Sequence, residues 1–276
     1  MDLFGNLHVQ SFGSSSAGNC TLVWDNESAV LVDCGFSPRF TNQNLQRLRK
    51  NLAEVSAVVI THSHSDHIHP VMVETLLRNK VPIYCHEQVF GSVSKRFKHL
   101  MTDYYKKYFR TFDGQDFRIR SLDIHTFEVP HDSEGGCFGY SISKGTDGNR
   151  KKVTISTDMG YPKTGLADEF VNSDVIVIES NHDTEMLENS NRPAYLIQRI
   201  KNIGHLSNRQ SAEFIVDIVN KSYKHPVAVM LAHISQQCNT NELAEECMTS
   251  ALKKNNFDQT KVEMTYKNMP SNLITV

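Results

Sequence analysis

Thr61-His62-Ser63-His64-Ser65-Asp66-His67 puts four metal-competent side chains within six residues, directly after the apolar run Val55-Ser56-Ala57-Val58-Val59-Ile60. Neutral imidazole and carboxylate are the usual ligands of zinc and similar cations. The apolar run predicts a buried strand. A strand that ends in His-x-His-x-Asp-His presents those ligands at its tip, where they can converge on a metal. Three imidazoles and a carboxylate serve no purpose in an apolar core, because buried polar groups need partners. The competing reading, a solvated histidine-rich turn, accounts for neither the spacing nor the strand before it.

Two metals need more donors, and other strand ends are the place to look. His131 follows Val129-Pro130, Asp158 follows the run at 153–157, and His233 follows the run at 227–232. Each alone reads as a hydrogen-bonded surface residue. Together with the 62–67 motif they read as the missing ligands.

Working outward, short strand patterns at 7–12, 21–24 and 29–33 are separated by glycine, serine and asparagine, as hairpin connections require. Pro38 opens a helix that runs through Leu45, Leu48 and Leu52. A helix at 70–77 and a strand at 81–85 follow, and 86–112 reads as helical. Strands resume at 117–122, 124–129, 138–143 and 153–157. Strands at 175–178 and 227–231 then alternate with helices at 193–201, 207–219 and 241–253. Residues 262–266 and 273–276 can close sheet edges. Two rounds of strands followed by helices predict an α/β (α+β) fold, a four-layer αββα sandwich, over one domain spanning 1–276.

The formal net charge is -2, so any nucleic-acid contact must come from a local patch rather than an overall polycation. The six cysteines form no Cys-x-x-Cys pair, which predicts reduced core thiols and argues against a zinc ribbon. Residues 1–6 lack the basic and apolar regions of a secretory signal, and no apolar stretch reaches membrane-spanning length. A cytoplasmic protein without a membrane partner is expected. Oligomeric state leaves no mark on the sequence.

The order His-x-His-x-Asp-His, then His131, Asp158 and His233, resembles the metallo-β-lactamase fold superfamily over nearly the whole chain. That resemblance implies one metal held by His62, His64 and His131. A second would be held by Asp66, His67 and His233, with Asp158 bridging. Gly204-His205-Leu206-Ser207 and Leu231-Ala232-His233-Ile234-Ser235 are similar to blocks of the tRNA 3′-processing endonucleases. This implies that His205 acts near the scissile phosphate together with Glu179; the alternative for His205 is a surface loop capping the helix at Ser207. Five blocks are similar to the YycJ/WalJ-type bacterial hydrolases, which are regarded as DNA exonucleases. They are Ser11 to Asn19, Leu31 to Gly35, Ser156 to Tyr161, Glu179 to Asp183 and Gly204 to Asn208. The interval from Asp158 to His233 is too short for the inserted domain of the β-CASP nucleases.

These readings combine into a mechanism. Two divalent cations, zinc ahead of manganese or iron, share a hydroxide that attacks a phosphodiester. Asp66 and Asp158 hold the cations, His205 donates to the phosphoryl or leaving oxygen, and Glu179 orients it. Asp33 either fixes a ligand imidazole or caps a strand end. The stretch 13–19 either cradles a phosphate through Ser14, Ser15 and Asn19 or is a plain hairpin connection. His182 lines the pocket or caps a helix. Lys95, Arg96, Lys98, Lys106, Lys107 and Arg110, interleaved with tyrosines, form a nucleic-acid patch or simply a solvated helix face. The expected function is a di-metal phosphodiesterase, foremost a DNA exonuclease with nucleic acid as its partner. The alternative is a glyoxalase-II-like thioester or lactam hydrolase, which has no need of the His205 block. A non-enzymatic metal-binding scaffold ranks last.

Overall fold

The computed structural model describes residues 5–146 and 148–276. Its two halves are built alike. In the first, β1 (His8–Ser15), β2 (Gly18–Trp24) and β3 (Ala29–Val32) are antiparallel. β4 (Ala57–Ile60), β5 (Ile83–His86) and β6 (Phe109–Phe112) extend that sheet in parallel. In the second, β7 (Asp116–Ile119), β8 (Leu122–Val129), β9 (Cys137–Lys144) and β10 (Lys151–Ser156) are antiparallel. β11 (Val175–Glu179), β12 (Ala228–Ala232) and β13 (Lys261–Met264) continue in parallel. β14 (Ile274–Thr275) returns to the first sheet and pairs with β1.

Alternation along the strands explains the layers. Val30, Val32, Ala57 and Val59 meet Tyr140, Val153, Ile155, Val175, Val177 and Met230 between the sheets. Leu31, Val58 and Ile60 face the other way, onto α1 (Pro38–Arg47), α2 (Pro70–Arg78) and α3 (Glu87–Arg96). α4 (Asp103–Lys106) is a single exposed turn. In the second sheet Ile176, Ile178, Val229 and Leu231 pack outward on α5 (Ala167–Phe170) and on two later helices. α6 (Thr184–Glu188) and α7 (Ala194–Arg199) precede those helices, α8 (Asn208–Lys221) and α9 (Asn241–Lys254). Uninterrupted apolar runs are what strands buried on both faces require. The result is an αββα sandwich, and five of the six cysteines are buried free thiols within it.

Three local expectations differ. Residues 86–112 are not one helix: α3 ends at Arg96, a 3-10 turn and α4 follow, and Phe109–Phe112 becomes an edge strand. Its aromatic and β-branched side chains suit pairing with β5, where Ile83 lies opposite Phe109. The first helix stops at Arg47, because Arg49 turns left-handed (φ 56°) and Asn51 starts a separate capped turn. Residues 13–15 pair with 18–20, so the expected 13–19 loop is mostly hairpin strand. Only Ser16 and Ala17 turn.

The polarity of the strands gathers the site. β8 and β10 both run antiparallel to β9, and β11 and β12 run parallel to β10. Their C-terminal ends therefore share one edge, carrying His131, Asp158, Glu179 and His233. In the facing sheet the parallel β3 and β4 end at Asp33 and His62.

Candidate metal centre

The 61–69 loop is held by backbone rather than by packing alone. Asn19 N–H donates to Asp66 O (2.8 Å), Cys34 N–H to His67 O (2.9 Å), and Phe138 N–H to Thr61 O (3.0 Å). Gly35 lies so close beneath it that a Cβ there would stand 1.7 Å from Asp66 O. Asp33 sits at φ 64°, a left-handed conformation a non-glycine residue adopts at a cost. That turn aims its carboxylate at the loop. It accepts from Thr61 N (2.9 Å), from Thr61 Oγ1 (2.9 Å) and from His67 Nδ1 (2.7 Å).

Two clusters of donor atoms result. In the first, His64 Nδ1 lies 3.0 Å from His62 Nε2 and 3.3 Å from His131 Nε2. His131 Nδ1 donates to Gly204 O (2.8 Å), which leaves Nε2 as the lone-pair atom of the neutral ring. In the second, His67 Nε2 lies 3.0 Å from Asp158 Oδ2 and 3.5 Å from Asp66 Oδ2, and His233 Nε2 lies 3.5 Å from Asp66 Oδ2. Asp158 is common ground: Oδ1 is 3.8 Å from His131 Nε2 and 3.5 Å from His233 Nδ1.

A buried carboxylate backs the second cluster. Glu179 Oε1 accepts from His205 Nδ1 (2.7 Å) and from His233 Nδ1 (2.9 Å). Its Oε2 accepts from Met159 N (2.8 Å) and Leu206 N (3.1 Å). One side chain thus sets the orientation of two imidazoles and both adjoining loops. His233 also turns left-handed, at φ 53°. Its N–H donates to Ser14 Oγ (2.9 Å) and its carbonyl accepts from Asn181 Nδ2 (2.8 Å), so both neighbours hold the strained turn.

The electrostatics show a centre that attracts positive charge. Burial disfavours charge on His67, yet Asp33, Asp158 and Asp66 raise its pKa well above the ordinary imidazole value. Burial likewise opposes charge on His233, but Asp158, Asp66 and Glu179 push it up to about 10. Asp158 is desolvated too, and His233 and His67 nevertheless hold it well below the carboxylate range. Burial followed by repulsion from His67 pushes His62 down.

The profile of the β-lactamase superfamily domain matches residues 28–234. This chain belongs to the β-lactamase superfamily. Exodeoxyribonuclease YycJ of Bacillus anthracis is 30% identical over 252 residues, covering 91% of each chain. Exodeoxyribonuclease WalJ of Streptococcus pneumoniae D39 is 31% identical over 241 residues, 87% of this chain and 86% of that one. Among solved structures, the metallo-β-lactamase fold protein YhfI from Bacillus subtilis superposes with a TM-score of 0.70 at 14% identity, over 99% of this chain and 100% of that one. With these relatives the protein is a metal-dependent hydrolase of the superfamily.

The donor set fits divalent cations on its own chemistry. His64 Nδ1 lies within 3.3 Å of the ring nitrogens of both His62 and His131, which leaves lone pairs facing each other unless a cation or a proton lies between them. Asp158 Oδ2 and His233 Nε2 are buried without a properly oriented hydrogen-bond partner, although buried polar atoms are normally satisfied. Hard carboxylate with neutral imidazole suits zinc, manganese or iron(II).

The seven residues expected as ligands are thus brought to one place, and Asp33, Glu179 and His205 adjoin them. The residues expected to touch substrate are placed differently. Ser14 and Asn19 are buried, and Ser14 Oγ donates to Asn19 Oδ1 (2.7 Å) while supporting His233. Asn19 Nδ2 reaches His67 Nε2 (3.0 Å) and Asp66 Oδ2 (3.3 Å). His182 is buried under the 205–208 loop, where its carbonyl accepts from Asn208 N (2.8 Å), and burial pushes its imidazole down to about 4. Ser14 and Asn19 support the ligands from within, and the carbonyl of His182 anchors the 205–208 loop. Ser15 is buried but borders a rim trough.

Three of the basic side chains at 95–110 are engaged locally. Lys95 pairs with Glu134 (3.0 Å), Lys107 lies over the Tyr104 and Tyr108 rings, and Arg96 Nη1 donates to Ser63 O (3.2 Å). Missing from the sequence reading is Arg199, which lines the cleft of about 170 Å³ over the centre and pairs with Asp132. The signal was faint: Asp132 adjoins a ligand, but Arg199 is 67 residues away on α7.

Proposed function

We propose that the protein is a di-metal phosphodiesterase that degrades DNA as an exonuclease. His62, His64 and His131 would hold one cation, Asp66, His67 and His233 the other, and Asp158 would serve both. Two bound divalent cations supply Lewis acidity and lower the pKa of water towards neutrality. The chain's own residues do the rest. Asp66 lines the cleft, and its Oδ1 has no partner among the described residues, so it can accept a hydrogen bond from the attacking water and orient it. His205 also lines the cleft; its Nδ1–H donates to Glu179, and the doubly protonated ring would pass its Nε2 proton to the leaving oxygen. Arg199 lines the cleft with its Nε held by Asp132, and its terminal N–H groups can donate to a phosphoryl oxygen.

The single observation that carries this reading is the His205–Glu179–His233 linkage. It ties a non-ligand imidazole to the ligand set, which thioester hydrolysis has no need of. The two exodeoxyribonuclease relatives support DNA over other diesters. Zinc is the favoured metal, and a cytoplasmic location accompanies a DNA substrate; among the described residues no helix is long and apolar enough to cross a membrane.

The test is a substrate panel with metal analysis. Purified protein supplied with zinc, manganese or iron(II) is offered end-labelled single- and double-stranded DNA, RNA, a small phosphodiester and a simple thioester. The expected result is stepwise shortening of DNA. H205A should lower that rate by about 10²–10⁴ with metal content retained. Full activity in H205A would remove it from the chemistry, and thioester turnover without diester cleavage would overturn the reading.

A further inference from the structure

The cleft over the metal centre continues past its ligands. Ser16, exposed at the tip of the β1–β2 hairpin, lines both that cleft and a second trough of about 300 Å³. Arg192, Gln236, Gln237 and Lys267 wall the trough opposite the hairpin. The charges there are held in an unusual way. Arg192 Nη2 donates to Gln237 Oε1 (3.0 Å), and Lys267 Nζ donates to Gln236 Oε1 (2.6 Å). No carboxylate among the described residues pairs with either cation. Neutral amides aim the two groups without cancelling their charge. Nearby basic side chains differ: Arg199 pairs with Asp132 and Lys201 with Glu188.

Arg192 carries a second signal. Its Nε is buried and finds no acceptor. A buried donor left unmet is costly, so such a group is normally satisfied by something. A guanidinium offers a planar fork of N–H donors that matches phosphate oxygens, and a lysine adds a compact point charge. With an overall charge of -2, the molecule has no general field that would draw a polyanion, so a local pair of uncancelled cations has to do it.

We propose that this trough is a phosphate-binding subsite for the strand beyond the scissile bond, with Arg192 and Lys267 gripping one backbone phosphate that is not cleaved. This rests on the phosphodiesterase reading and narrows it to a polymer: a small diester reaches the metals but not the trough. A thioester or lactam has no second anion to place there.

The experiment compares wild type with R192A, K267A and the double variant, and with R192Q/K267Q to preserve bulk if the alanines fold poorly. Turnover is measured on a labelled 20-mer single strand and on a small phosphodiester. The ratio of kcat/KM, strand over diester, should fall about tenfold for each cation removed. Binding is read separately, by fluorescence anisotropy of a labelled 12-mer on an H205A background with metal present. The slope of log affinity against log salt should flatten by about 0.7 per cation for a single strand. Equal affinity and slope in wild type and the double variants would overturn the subsite, whatever the enzyme cleaves. Wild type without diester activity, but with affinity that depends on Arg192 and Lys267, would instead leave the subsite standing and sink the catalytic reading.

Discussion

Asp33 is buried, and three donors converge on it from the metal loop. Burial raises its carboxyl pKa, and the imidazole of His67 opposes that rise. The left-handed backbone at φ 64° is one that asparagine tolerates, so D33N isolates the carboxylate from the turn. An amide at that position can accept from Thr61 or from His67 Nδ1, but not from all three donors at once. D33N should therefore keep the fold and lose about 10–100-fold in affinity for a cation at the cluster of Asp66, His67 and His233. Competitive metal titration with elemental analysis measures this; unchanged affinity would show that Asp33 merely caps the strand. Sequence could propose both roles for Asp33 but could not choose, because the choice depends on where Thr61 and His67 point.

At the scale of elements, the site depends on a short π-helical turn, Ile200–Gly204, that extends α7. Gly204 O accepts from His131 Nδ1, and His205 follows directly. Gly160, two residues after Asp158, is wedged against this turn: a Cβ there would stand 2.1 Å from Ile203 O and 2.6 Å from Ile203 Cα. Gly160 N–H meanwhile donates to Pro130 O (2.6 Å). The loops of Asp158, His131 and His205 are thus locked through one glycine. Backbone cannot yield as a side-chain tip can, so G160A should push the turn outward. The expected outcome is at least a tenfold fall in DNA hydrolysis with a stability loss of about 1–3 kcal/mol, read by turnover beside a urea melt. Activity that tracks only the fraction folded would mean that the turn plays no part in catalysis. The helix pattern at 193–201 was legible, but the π-turn was not: its wider spacing answers the crowding at Gly160 rather than any local propensity.

For the whole molecule, the ligands come from both sheets. His62, His64, Asp66 and His67 hang from the first, and His131, Asp158 and His233 from the second. Cations bound there would clip the two layers together at one edge, in addition to the apolar contact between the sheets. Ligand present at a thousand times its Kd stabilises by about 4 kcal/mol, which for a chain of this size corresponds to on the order of 10 °C in Tm. Chelation should lower Tm by that order, and zinc or manganese should restore it, as calorimetry would record. A Tm indifferent to chelator would mean that the donors do not hold metal across the two layers.

Apart from the edge strand Phe109–Phe112, which reads as helix, the local sequence alone determined the central strands, their burial on both faces and the donors at their tips. Strand periodicity and the spacing within 62–67 are short-range properties, and an apolar run ending in a histidine or aspartate states its own polarity. Only the tertiary structure decided that Glu179 serves both His205 and His233. It also decided that Ser14 holds the backbone of His233 while Asn19 reaches His67 and Asp66, and that Arg192 and Lys267 line one trough with Ser16. Those contacts join residues tens to hundreds of positions apart. No periodicity encodes such pairings; they arise when parallel strands from two sheets bring their ends to a common edge.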